Sequence, residues 1–197
     1  MADIDGLTRA LGKRFAEEEA SDLARILVTA HDRQTISYEE IALPSELKDE
    51  MIMLLHRERL LVSMKSSSAG GSAWTDRVLN PEDGEKFQMP RVVRHLIDKA
   101  KETGEWDTDY AEGQCLNEAG EKRIREIVEF ISMIKTVSPD CRVTPEIMRE
   151  IAAELNMTLD FHKVIDVFVR CGIISPPIQA SLRSGSVQYE INPSLYW

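Results

Sequence analysis

The stretch from Arg142 to Trp197 constrains the fold more tightly than any other. Thr144 is placed to cap a helix whose first residue is Pro145, a favourable first position because the missing proline N–H needs no partner there. Ile147, Ile151 and Leu155 then recur at helical spacing with charges between them. After a break at Asn156, residues Phe161, Val164, Val167, Phe168 and Cys171 mark the buried face of a second helix, and Gly172 is placed to stop it. The strand Ile173-Ile174-Ser175 follows. Ser184-Gly185-Ser186 can then turn the chain into the alternating strand Val187-Gln188-Tyr189-Glu190-Ile191.

A similar order runs through the first half. Residues 5–32 are helical in pattern, with Leu7, Leu11 and Phe15 on one face and Leu23, Ile26, Leu27 and Ala30 on another, as one helix or two. Thr35-Ile36-Ser37 reads as a short strand, and Ser37 with Glu40 as a capping box for a brief helix ending before Pro44. Ser45 caps a further helix with Leu47, Met51, Leu54 and Leu55 inward. Leu60 to Met64 reads as a strand, Ser66 to Ser72 as its tip and Ala73 to Leu79 as the returning strand, with the unit ending at Asn80 to Gly84. The second copy opens with a helix carrying Ile124, Ile127, Val128, Ile131 and Ile134 and broken at Ser138-Pro139. The repeat is one of pattern, with little residue identity.

Helix, short strand, helix, helix, strand, tip, strand resembles the winged-helix (winged helix-turn-helix) superfamily, here in two tandem copies. The resemblance is at the level of fold and comes with no narrower family signature. It implies a helix-rich α+β chain: an N-terminal winged-helix domain with a leading helix over 1–84, a connector over 85–116, and a C-terminal winged-helix domain over 117–197. An all-α or differently mixed fold is the alternative. Within the connector, Pro90 starts a helix that Gly104 stops, and its apolar face (Val92, Val93, Leu96, Ile97, Ala100) predicts packing against a domain. Glu105 to Gly113, acidic with Trp106 and Tyr110, reads as an exposed linker.

Charge and cysteines narrow the functional classes. The 197 residues carry a net charge of −10, and the excess is concentrated in residues 81–120, which hold ten acidic against five basic residues. That balance opposes non-specific nucleic-acid binding, which depends on Lys and Arg neutralising phosphates, but leaves room for a locally basic face. The three cysteines, Cys115, Cys141 and Cys171, form no CxxC pair, so neither a disulfide framework nor a zinc ribbon is expected. Cys171 falls on an apolar face and reads as core. His31, His56, His95 and His162 have no metal-ligand spacing, and no phosphate loop, dinucleotide turn or nucleophile elbow occurs. No enzyme activity, cofactor or metal is therefore expected. The N-terminus lacks a signal-peptide core and no run has membrane-spanning length, so the expected location is cytoplasmic, with no membrane partner.

In DNA-binding winged helices the last helix before the hairpin enters the major groove and the wing touches backbone. On the first unit's helix, the face opposite the expected core carries Asp49, Ile52, Met53 and His56, flanked by Lys48 on one side and by Glu46 and Glu50 on the other. These acids suit DNA poorly, and exposed Ile52 and Met53 suit a protein partner or packing on the connector helix. On the second unit's helix the corresponding face carries His162, Lys163, Asp166, Val169 and Arg170, with Asp166 placed to pair with a cation one turn away. A solvated charged face is the plainer reading of the same residues. The tips, with Lys65 and Arg77 in the first hairpin and Arg183, Ser184 and Ser186 in the second, are polar and mildly basic, as a phosphate contact or any exposed turn would be. Trp106, Tyr196 and Trp197 read either as docking anchors or as internal packing. The leading expectation is a transcriptional regulator that binds double-stranded DNA through Lys163, Arg170 and Arg183. Paired half-sites would make it a homodimer, although no heptad pattern supports one. The rival is a winged-helix adaptor that binds a protein and no DNA, through Ile52, Met53 and the aromatic residues.

Overall fold

The computed structural model describes residues 2–65, 73–77, 79, 81–157, 160–178 and 187–197. The fold is helix-rich α+β with small antiparallel sheets. Helices α1 (Ala2–Leu11) and α2 (Glu17–Arg33) form separately, and α2 opens on Glu17, Glu18 and Glu19, where carboxylates suit the positive end of the helix dipole. Strand β1 (Thr35–Ser37) leads into a 3₁₀ turn, Tyr38–Glu40, where the Ser37 backbone N–H donates to the Glu40 carboxylate at 2.8 Å. Then follow α3 (Ser45–Arg57), β2 (Val62–Ser63) and β3 (Lys86–Gln88). The three strands form one antiparallel sheet in the order β1-β3-β2, with Ile36 opposite Phe87 and Val62 opposite Gln88.

The second half has a related but not identical order, with two full helices where the first half has a 3₁₀ turn and one helix. Helix α6 (Ile124–Val137), strand β4 (Arg142–Val143), α7 (Pro145–Glu154), α8 (Phe161–Cys171) and β5 (Tyr189–Glu190) follow in sequence. β4 pairs antiparallel with β5, and Ile174 bridges Ile191 on the other side. Thr144 caps α7 by accepting from the Ile147 N–H at 3.4 Å, with Pro145 at the first position. Gly172 ends α8 at φ 75°.

Between the halves, α4 (Arg91–Thr103) and α5 (Thr108–Glu118) knit the molecule together. Val92, Val93, Leu96, Ile97 and Ala100 of α4 are fully buried, and α4 packs against α1, α2, α5 and α8. One contiguous apolar core runs from Leu7 to Leu195 through both halves. Among the described residues no helix is long and apolar enough to cross a membrane.

Three expectations are corrected. Of the expected returning strand Ala73 to Leu79, Trp74–Asp76 is a 3₁₀ turn, Arg77 sits in a β-bridge and residue 78 lies outside the described residues, while the strand that pairs with β2 is β3, Lys86–Gln88. Only the later segment places an apolar residue, Phe87, between Ile36 and Ser63. A boundary at residue 84 would therefore cut the first sheet. The expected acidic linker is also mostly helix. Asp107 caps α5 by accepting from the Tyr110 N–H at 2.9 Å, and Ala111, Glu112, Cys115 and Leu116 are buried. Glu112 is fully buried against the Lys135 ammonium at 2.8 Å, an acid that composition alone assigns to solvent.

The chain's end is internal structure. Trp197 stacks on Trp106 with ring centroids 4.7 Å apart and meets the edge of Phe15 at 5.3 Å. The Trp106 indole N–H donates to the Ser194 carbonyl at 2.9 Å, and the Tyr196 hydroxyl to the Ser138 carbonyl at 2.7 Å. Trp106, Tyr196 and Trp197 thus make internal contacts while staying half-exposed, which favours the internal-packing reading over the docking one.

Candidate functional site

The concave surface of α3 holds the first candidate. A groove of about 670 Å³ is lined by Met53, Leu54, Trp74 and Leu79, with Arg57, Glu50 and His56 among its polar groups. Met53 is 58% exposed, the most exposed large apolar side chain described. Ile52 is the correction: it is 1% exposed, because α3 buries Met51, Ile52, Leu55 and His56, a face rotated from the expected one. α3 contacts α2 on one side and β2 on another, so a single amphipathic stripe under-describes it. Asp49, expected on the free face, accepts from the Tyr38 hydroxyl at 2.6 Å.

His56 gives the groove its chemistry. It is 9% exposed, and burial, with the Arg59 guanidinium beside it, pushes its pKa down to about 4. The imidazole is therefore neutral near pH 7. Arg59 donates to Nδ1 at 3.0 Å, so the ring proton sits on Nε2, which has no hydrogen-bond partner among the described residues. Arg59 itself is held by Glu190 of β5, with Nε–Oε1 at 2.9 Å and Nη2–Oε2 at 3.4 Å, and its Nη1 donates to the His56 carbonyl at 2.7 Å. The Asn192 amide reaches the Arg59 carbonyl at 3.3 Å from the same strand end. The floor of the groove is thus clamped by residues far away in sequence.

The candidate DNA-reading face is less free than its sequence suggests. On α8 the Lys163 ammonium lies 3.3 Å from Glu121, and Arg170 Nε lies 3.1 Å from Asp166 one turn earlier, the kind of pairing expected of Asp166. Lys65 is 2.9 Å from Glu82, and Arg77 donates to the Met64 carbonyl at 2.9 Å. Arg183, Ser184, Ser186 and the first tip, 66–72, lie outside the described residues. Among the described residues no group of three or more His, Cys, Asp or Glu could hold a metal ion. Cys115, Cys141 and Cys171 are free thiols, and Cys171 is core as read from sequence.

Sequence reasoning missed Arg91 and Arg94 of α4. Both line a second cleft with Arg170, and neither forms an ion pair or side-chain hydrogen bond among the described residues. Asp98, one turn beyond Arg94 and its natural partner, is 2.8 Å from His31 instead. The available signal was two arginines three apart with no acid in that helix's first turn.

Buried titratable groups predict an unusual pH response. His56 binds a proton less readily folded than unfolded, so its contribution to stability is full above about pH 6.5 and lost as pH falls toward 4. Glu112 does the reverse. Burial pushes its pKa up to about 7 against the opposing pull of Lys135, so its contribution is full below about pH 4.5 and lost as pH rises through 7. Each window spans about 3 kcal/mol. In urea titrations, the wild-type advantage over His56→Gln should shrink on acidification from pH 7 to 4. The wild-type advantage over Glu112→Gln should shrink on going from pH 4.5 to 7.5. Parallel curves for wild type and both variants would refute the assignment.

A protein-family model matches residues 5–197, nearly the whole chain, and the protein belongs to that family. No curated protein and no solved structure matches it.

Proposed function

We propose that the chain is a non-enzymatic winged-helix protein-interaction module. It docks an apolar, carboxylate-bearing segment of a partner protein in the groove along α3. The winged-helix reading is supported by the order of elements in both halves and by the β1-β3-β2 strand order, repeated as β4-β5 with the Ile174–Ile191 bridge. The docking reading rests on one observation: Met53, the most exposed large apolar side chain described, lines a groove with Leu54, Trp74 and Leu79. Methionine adapts to varied apolar surfaces, and Arg57 at the rim, its Nε 3.1 Å from Glu58, is 69% exposed and could exchange that carboxylate for a partner's.

The second reading is the DNA-binding transcriptional regulator. It is favoured by the Lys163 and Arg170 side chains, which are 61% and 58% exposed and could exchange a carboxylate for a phosphate. Against it stand the pairing of both α8 cations with Glu121 and Asp166 and the net charge of −10. Affinity capture from the source cells with wild type and Met53→Glu tests the docking reading. Met53 is a surface position, so its stability should change by no more than about 0.5 kcal/mol. The expected result is a specific protein retained by wild type and depleted at least about tenfold by the variant, equivalent to 1.4 kcal/mol. Equal recovery by both would refute the α3 groove as the docking site.

A further inference from the structure

The cleft between the two halves is chemically distinct from the α3 groove. Its volume is about 250 Å³, and its walls come from Gln34 just before β1 and Gln88 at the end of β3, from Trp74, from Arg91 and Arg94 in the first turn of α4, and from Arg170 in the last turn of α8. In a chain with 34 acidic residues, three arginines meet here and no lining residue is Asp or Glu. Arg170 shares its charge with Asp166, while Arg91 and Arg94 have no counter-ion among the described residues. The Arg94 Nε is buried without a hydrogen-bond partner. Two guanidinium groups three residues apart on a helix repel one another, and a buried charged donor without an acceptor is costly. Such an arrangement is stabilised by an anion that accepts from both. The start of α4 adds to the same field, since Pro90 provides no side-chain cap and the first turn holds no carboxylate.

We propose that this cleft binds a small phosphate monoester, its phosphate clasped by Arg91, Arg94 and Arg170 and its polar body facing Gln34 and Gln88. Guanidinium forks match phosphate oxygens in pairs, which explains arginine rather than lysine at all three positions. The volume lies just below the range of typical small-molecule sites, which suits a sugar phosphate and excludes a dinucleotide. Because α4 and the first sheet form one wall and α8 the other, the ligand would bridge the two halves and raise the melting temperature by mass action. This inference does not rest on the α3 groove.

The test is calorimetric titration of the full chain with ribose 5-phosphate, inorganic phosphate and ribose, with a mixed-sequence DNA duplex as a separate arm. Arg91→Gln/Arg94→Gln is compared with wild type, alongside Arg170→Gln, whose exposed site tolerates change, and Arg149→Gln as a distant control. The proposal expects saturable binding of the phosphate ester and not of ribose, weakened about tenfold or more in the double variant and measurably in Arg170→Gln, and unchanged in Arg149→Gln. The Arg94 Nε–H resonance should shift on binding. Phosphate-ester binding that survives in Arg170→Gln and the double variant, or no binding by wild type, would overturn it. So would binding of the duplex alone, which would make the cleft a nucleic-acid contact.

Discussion

Replacing Glu190 by Ala should cost about 3–5 kcal/mol, among the largest losses available to a single substitution in this chain. Glu190 and Arg59 are each 9% exposed and meet through two nitrogen–oxygen contacts across 131 residues of sequence. Removing the carboxylate leaves a guanidinium that is buried, charged and short of an acceptor. The loss arises mainly from that stranded charge rather than from the attraction of the pair, because desolvating two ions offsets much of their mutual gain. A second substitution should therefore recover stability: Glu190→Ala with Arg59→Met should be more stable than Glu190→Ala alone. Urea denaturation of the two single variants and the double variant measures this as a coupling energy. Additive losses would mean that the pair is not what joins β5 to the end of α3.

Gly172→Ala should be destabilising by about 3 kcal/mol, from two sources that can be separated. The residue sits at φ 75°, where a Cβ costs about 1–2 kcal/mol. A Cβ there would also lie 2.6 Å from Pro90 Cβ and 3.3 Å from Pro90 Cα, so α8 must shift away from the start of α4. Overpacking of that kind adds about 1–3 kcal/mol. Gly84 provides the control, at φ 87° with nothing within 4 Å of its would-be Cβ. Gly84→Ala should show the conformational part alone, and a loss equal to that of Gly172→Ala would argue against close packing of α8 on Pro90.

Local signals were the legible part of the sequence. Thr144-Pro145 starts α7, Gly172 stops α8, Ser37 and Glu40 bracket the 3₁₀ turn, and the α4 stripe is buried as its spacing requires. Each of these is decided within four or five residues. What was not legible depends on which distant segments meet. The pairing of Arg59 with Glu190, the stacking of Trp106 on Trp197 and the burial of Ile52 all require tertiary contacts that no spacing encodes. The pairing of β3 with β1 and β2 is of the same kind, since it is the register with Ile36 and Ser63 that places Phe87 in the sheet. The spacing in α4 marks its apolar stripe and says nothing of Arg91 and Arg94, which become a cluster only with the arrival of Arg170 from α8.

The separation of a protein-docking module from a DNA reader rests most directly on salt-titrated retention of the source organism's own genomic DNA fragments. Wild type and Lys163→Ala/Arg170→Ala should be compared from low salt to 0.2 M. With the α8 cations matched by Glu121 and Asp166, the predicted result is weak retention at low salt, none at physiological salt, and little difference between the two proteins. Selective retention by wild type that falls steeply with salt and is lost in the variant would contradict the docking account and identify α8 as a DNA-reading helix.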